Sequence, residues 1–278
     1  MPQTPADHAV WTAVDTSDDP AFFIRFLDAS RAGIVASAAS DPGVFFAYLD
    51  VHPGQRVLDA ACCVGELTRL LGRLVAPDGE VVGVDFSTTM VEEASRRAEQ
   101  GDVPVRFEQG DIMALDYPDN TFDRARAEQV LQHIPRPESA LGELTRVTRP
   151  GGMVAVMEPD WDTLVIDADN LAMSRAFTVY NSTVVVPHGY IGRQLPRMFR
   201  DAGLVDVGCT ATVLLPPYSA LREFIESNTR NAVAAGFVVE KEATAWLRDL
   251  ETRDAGGRFF AAFSYFRVVG RVAMTATS

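Results

Sequence analysis

Residues Val57 to Thr68 read VLDAACCVGELT. An apolar run ends on Asp59, small residues fill positions 60–63, and a helical pattern opens after Gly65. This is how a parallel strand turns into a helix whose N-terminus accepts a ligand, since the first backbone N–H groups of a helix point outward unpaired. Glycine in such a turn permits positive φ and close approach of the ligand. Ala61 and Cys63 are tolerated freely if their φ is negative. If positive φ is required, each costs about 1–2 kcal/mol of backbone strain.

Outward from this stretch the chain repeats a short apolar strand followed by a longer helix. Strands are expected at 56–60, 80–85, 103–109, 122–127 and 153–158, with helices at 66–75, 88–100 and 137–148. Repeated units of this kind give a parallel sheet covered on both faces. After residue 160 the rhythm changes. Helices are expected at 171–180, 192–202, 220–234 and 240–254, with strands at 205–214 and 263–272. Two strands separated by a long insertion fit an antiparallel pair that closes the sheet. Ahead of the sheet, Phe22, Phe23, Phe26, Leu27, Ile34 and Val35 recur at helical spacing, and a second helix is expected at 42–49. These helices either pad the sheet or form a lid over a ligand pocket. Residues before about Pro20 read as a loose arm.

In a doubly wound sheet the ligand groups come from the C-terminal strand ends. Those ends carry or adjoin Asp59, Asp85, Asp111, Glu128 and Glu158. Five carboxylates in that register exceed what packing asks for. Asp85, closing GEVVGVDFS, can accept both hydroxyls of a ribose, which alone does not separate S-adenosylmethionine from NAD. Further signals are Gln109-Gly110-Asp111-Ile112 after the third strand, Phe122-Asp123 with AEQVLQHI, and Arg149-Pro150-Gly151-Gly152 before the fifth.

In this order the five matches resemble the class I S-adenosylmethionine-dependent methyltransferases, especially those acting on small molecules such as ubiquinone and menaquinone precursors. The resemblance spans about Phe45 to Asp160, and GRQLPRMFRDAGLVDV at 192–207 also looks like the segment before that fold's sixth strand. It implies a doubly wound, mostly parallel, seven-stranded α/β sheet with an antiparallel last strand, a helical N-terminal lid and a helical insert. Residues 1–50 are then arm and lid, 51–160 the cofactor-binding core, and 161–278 the substrate cap with the strands completing the sheet. The first motif of that family is usually VLDxGxGxG. Ala61 and Cys63 replace its first two glycines here.

The resemblance also implies residue roles. Asp59 and the Ala61–Gly65 loop would face the methionine part of S-adenosylmethionine, which leaves as S-adenosylhomocysteine. Asp85 would hold the ribose, with Phe86 and Met90 beside the base. Gly110, Asp111 and Ile112 would take the adenine. Glu128 and Gln129 would approach the methionine end, and His133 would stand near the reacting centre. The sulfonium methyl is already electrophilic, so the enzyme mainly aligns a nucleophile in line with it. An oxygen nucleophile needs a base, for which His133, His188 and Glu158 are candidates and His133 is favoured. A lone histidine is also commonly structural.

Composition narrows the partners. The 278 residues hold 25 basic and 38 acidic side chains, a net charge of −13. That argues against a nucleic-acid backbone and an anionic membrane surface. Cys62, Cys63 and Cys209 are too few for a disulfide framework or a four-ligand zinc site, and His8, His52, His133 and His188 show no metal-ligand spacing. Adjacent Cys62 and Cys63 read better as small turn residues than as a redox pair. No apolar stretch is long enough to span a membrane and the first residues lack an export pattern, so a reduced, cytoplasmic protein is expected, monomeric or homodimeric. One lysine against 24 arginines points to a GC-rich bacterial genome.

Substrate recognition is expected in the lid and insert. Phe22, Phe26, Trp161, Phe177, Tyr180 and Phe263, with His188, are candidates to line a pocket for a small apolar or aromatic metabolite. A buried core uses the same residue types. Three functions compete. One is an S-adenosylmethionine-dependent methyltransferase. Another is the same fold serving as a cyclase, isomerase or binder. The third is an NAD-linked oxidoreductase, against which stand the missing GxGxxG, Gly110-Asp111 and the non-repeating tail.

Overall fold

The computed structural model describes residues 13–274 except 100 and 102, with backbone only at 29, 30, 33–38 and 44. Most of the expected arm, His8 and the side chains of Ile34 and Val35 therefore lie outside the described residues.

Seven strands form one sheet in the order β3-β2-β1-β4-β5-β7-β6. They are β1 (Arg56–Ala60), β2 (Glu80–Asp85), β3 (Val105–Gln109), β4 (Phe122–Glu128), β5 (Thr148–Ile166), β6 (Leu204–Leu214) and β7 (Ala261–Val272). β1 to β5 are parallel, and β7 runs antiparallel between β5 and β6. The order reverses between β1 and β4, the switch point where such sheets place ligands.

Among the described residues nine helices surround the sheet: α1 (Pro20–Ser40), α2 (Pro42–Phe45), α3 (Glu66–Val75), α4 (Thr88–Ala98), α5 (Pro137–Val147), α6 (Leu171–Tyr180), α7 (Ile191–Asp201), α8 (Tyr218–Ala234) and α9 (Glu240–Ala255). Their starts follow from sequence. Asp19 accepts from Phe22 N at α1, Ser87 from Met90 N at α4 and Asn170 from Met173 N at α6. Pro137 occupies the first turn of α5, where its missing N–H costs nothing.

On one face, Leu67, Leu70 and Leu71 of α3 meet Val57, Val81 and Ala155. On the other, Leu141, Leu144, Leu195 and Phe199 of α5 and α7 cover Leu58, Ala125 and Val154. Each fully buried leucine contributes about 1.5–3 kcal/mol. The insert has its own core, built around Phe177, Ile225, Trp246 and Leu250. α1 buries Phe23 and Leu27 on Val64 and Met90, so it lies across the loop that follows β1.

Several boundaries differ from expectation, β5 for one beginning at Thr148 rather than 153. The helix at 42–49 is the short α2 followed by a 3-10 turn at Ala47–Leu49. β3 begins at Val105 rather than 103. β5 continues past Glu158 to Ile166 because the chain stays paired with β7, with a register shift between Asp160 and Val165. Among the described residues no helix is long and apolar enough to cross a membrane.

Candidate active site

The turn after β1 keeps the backbone of a glycine loop without its glycines. Ala61 has φ 59°, Cys63 φ 50° and Gly65 φ 70°. The branch that requires positive φ is therefore the one realised, at about 1–2 kcal/mol for each of Ala61 and Cys63. Gly65 has a second reason to be glycine, because a Cβ there would lie 2.4 Å from the Phe107 ring. Hydrogen bonds hold the strained turn. Cys62 N donates to Val84 O at 3.0 Å, Gly65 N to Cys62 O at 3.0 Å, and Cys63 N to Asp85 Oδ2 at 2.8 Å. Burial pushes both thiols up, Cys63 to about 12, so neither is a thiolate near neutral pH.

Asp85 is the hinge of the site. Its Oδ1 accepts from Ser87 N at 3.0 Å and its Oδ2 from Cys63 N, which uses two of the roughly four lone-pair positions of a carboxylate. The others remain for a pair of hydroxyls. Burial raises its carboxyl, against the pull of the Ser87 and Cys63 N–H groups. Phe86 beside it is 62% exposed, a free aromatic face. Met90 instead lies in the α1 core against Phe23 and Val64. Gly110 N donates to Asp85 O at 2.9 Å, which brings the loop after β3 alongside. Asp111 Oδ1 caps that loop by accepting from Met113 N at 2.8 Å, and Ile112 is buried at its base. Asp15 accepts from Ser87 Oγ at 2.5 Å and from the N–H groups of Thr88 and Thr89, so the N-terminal segment is tied to the start of α4.

The methionine end is ionic. Asp59 accepts from Thr68 Oγ1 at 2.6 Å and from Arg126 Nη1 at 2.8 Å. Arg126 also donates to Glu128 Oε2, and Arg31 of α1 stands 3.3 Å from Glu128 Oε1. Two cations and two anions thus alternate through the interior. Burial opposes each charge, but the neighbours win: Glu128 is held below the ordinary carboxylate range by Arg31 and Arg126, and Arg126 is raised mainly by Asp59. Leu27, Arg31, Asp59, Ala61, Cys63 and Glu128 are among the walls of a cavity of about 20 Å³.

Past β4, Gln129 has φ 54° and donates its N–H to Met157 O at 2.9 Å. Glu158 is fully buried, and its Oε1 accepts from Val130 N at 2.8 Å and Leu131 N at 2.7 Å. Its Oε2 has no partner, and burial pushes the carboxyl up to about 8. Glu158 therefore builds the turn that carries His133, which is half-buried, and is itself mostly protonated near neutral pH. His188 braces the same turn, with Nε2 3.0 Å from Ile134 O.

The remaining candidates divide between lid and cap. Phe22 and Phe26 stack on α1 with centroids 6.2 Å apart. Trp161 lies between Phe224 and Phe263, each 5.2 Å away, and its Nε1 donates to Gln132 Oε1 at 2.7 Å. Phe177 is fully buried against Phe224 and Trp246, and Tyr180 packs on Phe237. Thus Phe177 and Tyr180 belong to the packed interior of the cap, whereas Trp161 is half-buried on β5 and ties the cap to the turn after β4 through Gln132. Sequence reasoning missed Arg31, Arg126 and Asp15. Arg126 was signalled by two cations alternating inside a strand, DRARAE, and Arg31 by its place four residues after Leu27 on an apolar helix face.

The donor set fits S-adenosylmethionine: hydroxyl acceptors on Asp85, an exposed ring at Phe86, and opposite charges at the end where an amino-acid zwitterion belongs. Comparison with known proteins agrees. A model for a methyltransferase domain matches residues 51–203. The "Uncharacterized 37.1 kDa protein in transposon TN4556" of Streptomyces fradiae is 39% identical over 257 residues, covering 89% of this chain and 71% of that one. The demethylmenaquinone methyltransferase of Geobacillus kaustophilus is 30% identical over 174 residues, covering 57% of this chain and 74% of its own. The YcgJ protein of Bacillus subtilis shares the fold, with a TM-score of 0.58 at 20% identity, over 84% of this chain and 98% of that one. The chain belongs to the methyltransferase-domain family and is an S-adenosylmethionine-dependent methyltransferase.

Proposed function

We propose that this methyltransferase acts on a small apolar or aromatic metabolite with an oxygen nucleophile, presented beyond the C-terminal ends of β4 and β5. The observation that carries this reading is the turn after β4. Glu158 fixes its backbone through Val130 N and Leu131 N, His188 braces it at Ile134 O, and His133 sits on it, its N–H donating to Val130 O. S-adenosylmethionine supplies the electrophilic methyl when bound. The chain orients it through Asp85, Phe86, Asp111 and the 61–65 loop, keeps water out with α1, and offers His133 to take the proton of the acceptor. Apolar character is supported by the Phe22–Phe26 pair on the lid. It is also supported by the similarity to the Geobacillus demethylmenaquinone methyltransferase, whose named acceptor is apolar and aromatic.

Glu158 makes a poor competitor for the base. Its carboxyl already carries a proton near neutral pH, and its Oε1 is committed to the backbone. We further read the protein as cytoplasmic and as a monomer or homodimer, on the basis of its acidic, cysteine-poor composition. The test is a panel of phenolic, enolic and amine acceptors with S-adenosylmethionine, product being read by mass. Turnover of phenols or enols, lowered about 10²–10⁴-fold in His133→Ala with cofactor affinity unchanged, is the expected result. Turnover of amines alone, or full activity in His133→Ala, would remove the base from the scheme.

A further inference from the structure

Two short polar runs are buried inside the apolar cap. They are Asn181-Ser182, just after α6, and Ser227-Asn228-Thr229 in α8, with no residue of either more than 2% exposed. They meet where Asn228 Nδ2 donates to Asn181 Oδ1 at 3.2 Å. In a closed amide pair the remaining Nδ2 and Oδ1 would bond to each other. Here Asn181 Nδ2 and Asn228 Oδ1 have no partner among the described residues, nor has Thr229 Oγ1 next in the chain. Turning both amides over exchanges their roles and still leaves one donor and one acceptor. By contrast, Ser174 and Thr178, the other buried polar residues beside this seam on α6, are spent on Trp246 Nε1 and Leu164 O. A buried polar group without a partner costs about 1–3 kcal/mol, so packing alone favours apolar residues at 181 and 228.

The backbone singles out the same place. Asn181 opens a π-helical turn at Asn181–Val185, a winding that is rare in helices and frequent at functional sites. Gly189, where a Cβ would run into Ser182 O, lets the chain fold back from that turn, and its carbonyl accepts from Trp161 N at 2.9 Å. The seam is also joined to the acceptor side of the site. Phe224, one turn before Asn228 on α8, stacks on Trp161, whose Nε1 donates to Gln132, the residue before His133. We propose that the paired amides of Asn181 and Asn228 form the far end of the acceptor pocket and hold an edge of the acceptor in which a carbonyl stands beside an N–H or O–H. The unused amide N–H donates to that carbonyl, and the unused amide oxygen accepts from the neighbouring hydrogen. Both bonds are neutral, so a carboxamide, lactam or hydroxyketone edge is taken and a carboxylate, which has no hydrogen to give, is not. A few placed polar groups within an apolar wall are the usual make-up of a small-ligand site. The inference rests on the acceptor class proposed above and adds the chemistry of the acceptor's polar end. Because both amides are fully buried, the acceptor enters as α8 draws away from the turn at Asn181.

The test combines binding with stability in the variant carrying both Asn181→Leu and Asn228→Leu. Two phenols are titrated by calorimetry with S-adenosylhomocysteine present: para-hydroxybenzamide, which has the carboxamide edge, and para-cresol, which has a methyl group in its place. In the double variant, affinity for para-hydroxybenzamide is expected to fall about 10- to 100-fold, the loss of two neutral hydrogen bonds, while affinity for para-cresol holds or rises. The same variant should melt no lower than the wild type, since exchanging both partners for apolar groups of similar shape removes unpaired polar atoms from the interior. Asn181→Leu alone, which strips Asn228 of its partner, should melt lower than the double variant. Equal loss of both phenols, unchanged affinity for para-hydroxybenzamide, or no binding of it to the wild type at millimolar concentration would each overturn the proposal. So would a double variant that melts well below the wild type, by showing that the amides serve packing. Binding is read without methyl transfer, so the seam and the His133 scheme fail separately: a lost carboxamide preference with phenol turnover intact removes only the seam.

Discussion

The strand-end site and the helical cap use similar residue types to opposite ends. At the strand ends, polar groups hold capacity in reserve: two lone-pair positions on Asp85, the Arg31 donors and the exposed Phe86 ring. In the cap, that capacity is largely spent. Trp161 has both faces covered and its N–H bonded, and Phe177 is enclosed by Phe224 and Trp246. Residue type names what a side chain can do, and only its surroundings show whether that ability is already used. By this measure the cofactor end is built for a ligand, and the aromatic centre of the cap is built for stability.

Substitutions can break this contrast. The largest effect is expected from Phe177→Ala, which empties a fully buried site and should cost about 3–5 kcal/mol in chemical denaturation. It should leave cofactor affinity unchanged. A cofactor defect without a stability defect would place Phe177 in the ligand pocket instead.

Asp85→Ala should do the reverse. Losing two hydrogen bonds from ribose hydroxyls to a charged acceptor is expected to weaken S-adenosylmethionine binding about 100-fold or more. Because Cys63 N also loses its partner, a smaller loss of stability should accompany it. Wild-type affinity in this variant would mean that the end of β2 is misassigned.

Glu158→Gln probes a third situation, a polar group half spent. Its carboxyl is raised by burial to about 8 in the folded protein from an ordinary value of 4.5. Between these values the folded state holds a proton that the unfolded state has released. Stability therefore falls as pH rises through this window, by about 1.4 kcal/mol per unit at most. Glutamine keeps an oxygen for Val130 N and Leu131 N without the ionisation. The variant should match wild type in melting temperature below pH 4.5 and gain on it steadily toward pH 8. A constant difference across this range would show that Glu158 titrates normally.

The smallest effect is expected at the altered loop. Ala61→Gly and Cys63→Gly should each add about 0.5–1 kcal/mol, since relief of left-handed strain exceeds the added freedom of the unfolded chain. Destabilisation by either change would mean that the positive φ values carry no strain.

The fold was legible in the sequence because strand and helix periods alternate cleanly from Arg56 to Glu158, and each transition is marked by Gly, Pro or a capping side chain. The extension of β5 was not, because MEPDWDT lacks a strand pattern and its pairing partner lies about a hundred residues later in β7. Asp59, Asp85, Glu128 and Glu158 were legible as strand ends, whereas their partners were not. Arg31 meets Glu128 across 97 positions and Arg126 meets Asp59 across 67, distances over which no local pattern reaches. The sign of φ at Ala61 and Cys63 was likewise undecided, since both alternatives are compatible with small side chains.

Titration calorimetry of the wild-type protein with S-adenosylmethionine, S-adenosylhomocysteine and NAD asks whether a loop with two glycines replaced still serves its cofactor. Binding of both sulfur nucleosides at micromolar to sub-millimolar concentration, with none for NAD, is the expected result. Absence of binding by either sulfur nucleoside at millimolar concentration, or a preference for NAD, would contradict it.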